Sequence, residues 1–198
     1  MEKDYMFSHR VVVMDAAEYV ARFRDVERFL AYCRECDSYG RVWSCPPFEG
    51  DVREKTDGFS QVTIWATVIT FSDSVRDRVR DRAARERVTW EAIEAAWRVL
   101  LPFLYAQERR LEGCRVFTGR CRQCGAAVCS RVEGVPCRHP DRLRSSLEAV
   151  GFDLAGTMEQ LFGLPLVWAT DGRLPERVTL VTAMFSPGPL PAELPPGL

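Results

Sequence analysis

Seven of the eight cysteines in this chain fall into two widely separated groups. The first group is Cys33, Cys36 and Cys45, and the second is Cys121, Cys124, Cys129 and Cys137. In a reducing cytosol, thiols grouped in this way are more often metal ligands or redox groups than structural disulfides. The chain has 198 residues, of which 46% are hydrophobic, so it can bury a core without disulfide staples. The grouping therefore predicts metal binding.

The second group places its thiols close together, with the spacing Cys-x2-Cys-x4-Cys-x7-Cys from Cys121 to Cys137. Closely spaced ligands can converge on a metal at little cost in chain entropy. Four thiolates suit either a tetrahedral zinc ion or a cubane of four irons. The segment CRQCG at residues 121–125 resembles a zinc knuckle, but the other spacings match neither a zinc ribbon nor the common ferredoxin patterns. Spacing alone leaves the choice of metal open.

The first group supplies a close pair, Cys33 and Cys36, and a third thiol, Cys45, which two prolines follow. A cysteine followed by proline is typical of the cluster-binding loops of ferredoxins. A cubane held by only three cysteines leaves one iron open to substrate, water or another ligand. Tyr39 and Trp43 either shield such a cluster from water or simply pack in the core.

Other side chains near these groups have a functional and an ordinary interpretation. Cys114 either completes the first group or is buried in a strand, and the buried role is favoured. His139 either ligates a metal or lies at the surface, and the surface is favoured. Arg138 either hydrogen-bonds cluster sulfurs or forms a salt bridge. Glu148 either accepts a hydrogen bond near a cluster or is an ordinary helix carboxylate, and the latter is favoured.

The hydrophobic pattern predicts an α+β fold, in which a mixed β-sheet is flanked by helices and carries the cysteine-rich loops at its edge. Strands are predicted at residues 10–14, 62–71, 114–118 and 178–185. Helices are predicted from Asp15 to the first cysteine pair, from Ser74 through Arg87, from Thr89 to Leu104 with a kink or division at Pro102, and over residues 141–150. Residues 186–198 contain five prolines and two glycines, so we expect a single domain over residues 1–185 and an extended or disordered tail.

Charge and hydropathy argue against several classes of partner. The formal net charge of −1 creates no general attraction for nucleic acid. Residues 76–87 look basic, but Asp77, Asp81 and Glu86 alternate with the arginines, which predicts a solvated helix face. No apolar run is long enough for a membrane helix, and the N-terminus lacks a signal-peptide pattern. We therefore expect a cytoplasmic protein that binds neither nucleic acid nor membrane.

Two longer motifs surround the cysteines. They are Tyr39-Gly40 with Trp43-Ser44-Cys45-Pro46-Pro47, and Cys137-Arg138-His139-Pro140 with Arg144, Ser146, Glu148-Ala149, Gly151 and Asp153. This combination resembles the prokaryotic family of predicted metal-binding proteins, domain of unknown function 2284. The resemblance implies metal binding through these cysteines as iron–sulfur clusters, in largely anaerobic bacteria and archaea, and it implies no reaction. Ser145 stands where we expect proline in that family, and Cys114 corresponds to no ligand of it.

Three functions are compatible with these observations. The first is a redox or electron-transfer protein with iron–sulfur clusters, preferably 4Fe–4S, and a redox or protein partner that the sequence does not identify. The second is a zinc-stabilised binding module. The third is an enzyme that uses the open iron of a three-cysteine cluster. We favour them in that order.

Overall fold

A computed structural model describes residues 4–125, 127–169 and 173–196 of the chain. Its centre is a four-stranded sheet with the order β1-β2-β4-β3. The strands are β1 (Tyr5–Asp15), β2 (Gln61–Phe71), β3 (Arg115–Phe117) and β4 (Arg177–Ser186). All three pairings are antiparallel, from Tyr5 opposite Phe71 at one end of the first pair to Asp15 opposite Gln61 at the other. The α+β class is thus confirmed, whereas the mixed strand direction that we predicted is not observed.

Helices cover both faces of this sheet. They are α1 (Ala16–Phe23), α2 (Val26–Arg34), α3 (Asp73–Arg78), α4 (Arg82–Glu108) and α5 (Leu154–Phe162). On one face, Ile64 of β2 joins a core with Tyr19 of α1 and Met158 of α5. On the other face, Trp65 joins a core with Leu100 of α4. Because both faces are covered, β2 is buried along nearly its whole length, which suits its sequence rich in β-branched and aromatic residues.

The first helical segment is interrupted where we predicted one continuous helix. Asp15 caps α1 as predicted, since its carboxylate accepts from the Glu18 amide at 2.8 Å. The helix then stops at Arg24, which bridges to Phe152, and Asp25 caps α2 through the Arg28 amide. The last turn of α2 carries the first cysteine of the N-terminal group, as the sequence indicated.

The predicted helix boundaries between residues 74 and 102 are wrong. The chain breaks after α3 instead, and Asp81 caps α4 by accepting from the Ala84 amide at 2.8 Å. From there α4 runs without interruption through Thr89 and Pro102. Proline costs a helix one internal hydrogen bond. The apolar residues of α4 that pack against the sheet on both sides of Pro102, such as Leu100 and Leu104, offset that loss.

The helix predicted over residues 141–150 is also wrong, since only 3-10 turns form, at Pro140–Arg142 and Glu148–Val150. The backbone groups between these turns have partners elsewhere. The Ser145 carbonyl accepts from the Thr118 amide at 2.9 Å, and the Arg144 guanidinium binds the carbonyls of Asp141 and Leu143. A regular helix would have to give up these bonds.

The proline-rich C-terminal segment lies along the sheet, without regular secondary structure over its described residues. Trp65 donates its indole hydrogen to the Glu193 carbonyl at 2.7 Å, and Gln61 donates to the Leu190 carbonyl at 3.0 Å. The Glu193 carboxylate pairs with Arg110 at 2.8 Å. The extended or disordered character of this tail and the domain boundary at residue 185 both stay predictions. Among the described helices, none has the length and hydropathy needed to cross a membrane.

Candidate metal centres

The first cysteine set is assembled by the end of α2 and the irregular loop that follows. The Cys36 amide bonds to the Cys33 carbonyl at 3.1 Å, which turns the chain sharply at the end of the helix. Farther on, the Cys45 amide bonds to the Val42 carbonyl at 2.9 Å. Gly40 closes the loop by donating to the Pro46 carbonyl at 2.7 Å, with a φ of +67° that other residues rarely adopt.

The thiols of this first set influence one another electrostatically. Burial raises the pKa of Cys33 to about 11, and the negative charges of Glu148, Cys45 and Cys36 add to the effect. Burial likewise raises the pKa of Cys45, with Cys36 contributing in the same direction. Without a metal these thiols therefore resist ionisation. A bound cation would supply the positive charge that makes thiolates stable in this position.

The second cysteine set lies on the loop that follows β3, the edge strand of the sheet. Its four members are Cys121, Cys124, Cys129 and Cys137. Burial raises the pKa of Cys121, and the negative charges of the other three cysteines raise it further. The loop is shaped by local bonds, including Ser130 Oγ to the Pro136 carbonyl at 2.9 Å and the His139 amide to Cys137 Sγ at 3.4 Å.

Each set fits a thiophilic metal by the chemistry of its donors, because sulfur predominates in both. A tetrahedral zinc ion would require each sulfur at about 2.3 Å from the metal. Within the part of the chain that the structure describes, no three His, Cys, Asp or Glu side chains are arranged to hold a single metal ion. The cysteines of each set are therefore electrostatic neighbours without the close convergence of a mononuclear site.

Arg131 of the second cysteine loop forms hydrogen bonds with the first cysteine loop. Its guanidinium donates to the Val42 carbonyl at 2.9 Å, to the Cys45 carbonyl at 2.5 Å and to the Pro47 carbonyl. It also lies over the Trp43 ring, 5.1 Å from the centroid. Nothing in the local sequence around Arg131 signals this role, since its partners lie more than eighty residues away.

Trp43 and Ser44 of the first loop also form hydrogen bonds with the second loop. The Trp43 indole donates to the Val135 carbonyl at 3.1 Å. The buried Ser44 hydroxyl accepts from the Cys121 amide at 3.2 Å and lies 3.9 Å from Cys45 Sγ. A single hydroxyl thus touches a cysteine of each set. Trp43 is half-buried between the loops, so it is not part of the core, and its shielding of a cluster stays a prediction.

The remaining candidates are Cys114, Arg138 and Glu148. Cys114 is half-buried against the core on the α4 side, and burial and Glu108 raise its pKa. Arg138 donates to the Val128 carbonyl and pairs with Glu133 at 3.4 Å, so the salt-bridge interpretation is supported. The backbone carbonyl of Glu148 lies 3.9 Å from Cys33 Sγ, in a 3-10 turn instead of the predicted helix.

Two loops that each carry a cysteine set, and that hydrogen-bond to each other beside an α+β core, are compatible with a metal-binding protein. A comparison with protein-family models supports this class. The chain belongs to the family described as "Predicted metal-binding protein (DUF2284)", whose model matches residues 21–185. Searches of the curated proteins and of the solved structures found no match.

Proposed function

We propose that this protein carries an iron–sulfur cluster on each cysteine set and acts in redox or electron transfer. The observation that carries the proposal is the contact of both sets with Ser44, whose hydroxyl lies 3.9 Å from Cys45 Sγ and 3.2 Å from the Cys121 amide nitrogen. When bound, such clusters supply one-electron chemistry. Two centres in adjoining loops would allow an electron to pass between them.

The charges around Cys45 favour an anionic centre. Arg120 and Arg131 both lower the pKa of Cys45, against the larger effect of burial. These cations would offset the negative charge that several thiolates bring to a cluster. Arg131 is fixed by its carbonyl bonds, so its charge stays beside the first set.

Metal and sulfide analysis tests this proposal. Protein purified without oxygen should be brown and contain iron and acid-labile sulfide. Cys36→Ser should remove the iron and sulfide bound by the first set. Cys124→Ser should remove those bound by the second set. Cys114→Ser is the matched control and should leave iron content and absorption unchanged. A colourless protein with stoichiometric zinc, whose loops unfold on chelation, would overturn the proposal in favour of the zinc-stabilised module.

A redox protein of this kind needs an electron donor or acceptor, and we propose that a cytoplasmic redox protein or a small molecule fills that role. Reduction of the anaerobic protein by dithionite, followed by reoxidation, should give reversible changes in visible absorption. An absorption spectrum that dithionite does not alter would contradict the redox role without contradicting metal binding.

A further inference from the structure

A cleft of about 620 Å³ lies between α4 and the loops that follow β3. Leu101 and Tyr105 of α4 form one wall of the cleft, and Gln123 and Arg142 approach from the loops. Tyr105 connects the two sides, since it accepts from Gln123 Nε2 at 2.9 Å and donates to the Arg142 carbonyl at 3.1 Å. We call this space the arginine cleft.

Positive charge predominates in the arginine cleft. Its lining includes Arg98, Arg109, Arg142 and Arg144 against two carboxylates, Glu108 and Asp141. Arg144 is neutralised by Glu108, to which it is bound at 2.6 Å. Arg109 caps the C-terminal end of α4, where a cation is already favourable.

Besides that of Arg109, two guanidinium groups in the arginine cleft have no carboxylate partner among the described residues. Arg98 and Arg142 are exposed, and among the described residues neither guanidinium forms a salt bridge or a hydrogen bond with another side chain. A guanidinium presents paired N–H donors that match the oxygens of a phosphate or carboxylate group. These two arginines are therefore free to bind an anion.

The arginine cleft adjoins the second cysteine set. Gln123 lies between Cys121 and Cys124 in the chain, and it lines the cleft. A narrower pocket that includes Cys121 shares Tyr105 and Arg142 with the cleft. A molecule held by the free arginines would therefore lie beside that set.

We propose that the arginine cleft binds a small organic anion carrying phosphate or carboxylate groups. The excess positive charge supplies the attraction, Arg98 and Arg142 supply the specific contacts, and Leu101 with Tyr105 contacts the carbon skeleton. The proposal goes beyond the redox function and does not depend on which metal the cysteines bind.

Titration calorimetry at low salt tests this site on the metal-loaded full chain. The probes are glycerol 3-phosphate and succinate, which distinguish a phosphate ligand from a carboxylate ligand, with glycerol and succinamide as neutral controls. At least one anion should bind saturably, and neither neutral compound should bind. Failure of both anions to saturate the protein up to about 20 mM would overturn the proposal.

Matched arginine variants then locate the site. Arg98→Gln combined with Arg142→Gln should raise the Kd of the bound anion about tenfold or more, since both charge and paired donors are lost. Arg80→Gln combined with Arg87→Gln removes the same charge outside the cleft and should change Kd less than about twofold. An equal rise in Kd in both double variants would show unspecific electrostatic attraction and would refute the site.

A fold control accompanies these measurements. The exposed guanidinium groups of Arg98 and Arg142 carry no bonds that the fold needs, so circular dichroism and melting temperature should match the unmodified chain. If the double variant does not fold, Arg98→Gln alone should still raise Kd about threefold. An unchanged Kd in that folded single variant would also refute the site.

Discussion

Replacement of Arg131 by alanine should separate the two cysteine loops. The guanidinium donates to the Val42, Cys45 and Pro47 carbonyls and lies over Trp43. A hydrogen bond of this kind contributes about 1 kcal/mol net, and a half-exposed cation–π contact about 0.5 kcal/mol. We therefore expect Arg131→Ala to lower the free energy of unfolding by about 3.5 kcal/mol. The same change should weaken metal retention by both sets, because each loop supports the other.

Urea unfolding under anaerobic conditions, with metal content measured after dialysis, checks this prediction. Arg138→Ala is the matched control, since Arg138 lies in the same loop but makes one carbonyl bond and one exposed ion pair. The control should lower the free energy of unfolding by less than about 1 kcal/mol and should retain its metal. If Arg131→Ala behaves like Arg138→Ala in both measurements, the two loops are not coupled through this residue.

Three further predictions concern the core and the loops. Burial holds the pKa of Tyr19 well above its ordinary value of 10.0. The neutral phenol therefore stabilises the fold fully below pH 10.0, and this stabilisation is lost as the pH rises above 10.0. Tyr19→Phe should lower the free energy of unfolding by about 1 kcal/mol at neutral pH. Urea unfolding of this variant should show a smaller loss of stability at alkaline pH than the unmodified chain. Glu108→Gln should cost about 2 kcal/mol, visible as a lower melting temperature, because Arg144 loses its largely buried counter-ion. Trp43→Phe removes a 3.1 Å hydrogen bond and should cost about 1 kcal/mol in urea, whereas Trp168→Phe, at a side chain that is 75% exposed, should cost almost nothing.

The sequence was a good guide where structure depends on neighbouring residues. All four predicted strands are present, and Asp15 caps α1 as its spacing to Glu18 indicated. The two cysteine groups need only local turns for their members to approach one another, because these members are close in the chain. The assignment of these seven cysteines as metal ligands stays a prediction.

The sequence was a poor guide where distant contacts decide the outcome. α4 continues through Pro102 because the sheet packs against it on both sides of the proline. The helical spacing of Leu100 and Leu104 indicated this buried face, but it did not show that the helix would stay undivided at Pro102. The predicted helix at residues 141–150 failed because the Ser145 carbonyl bonds to Thr118. Arg131 could not be recognised for the same reason, since its partners lie in the other loop.

The bonds between the loops also set an order of events during synthesis. A ribosome adds residues one at a time, and N-terminal segments emerge first. Cys33, Cys36 and Cys45 leave the ribosome long before the segment that contains Arg131 and Val135, on which their loop depends. The nascent chain therefore exposes three unsupported thiols to oxidants until translation has passed the second loop. In that interval the chain itself cannot shield them.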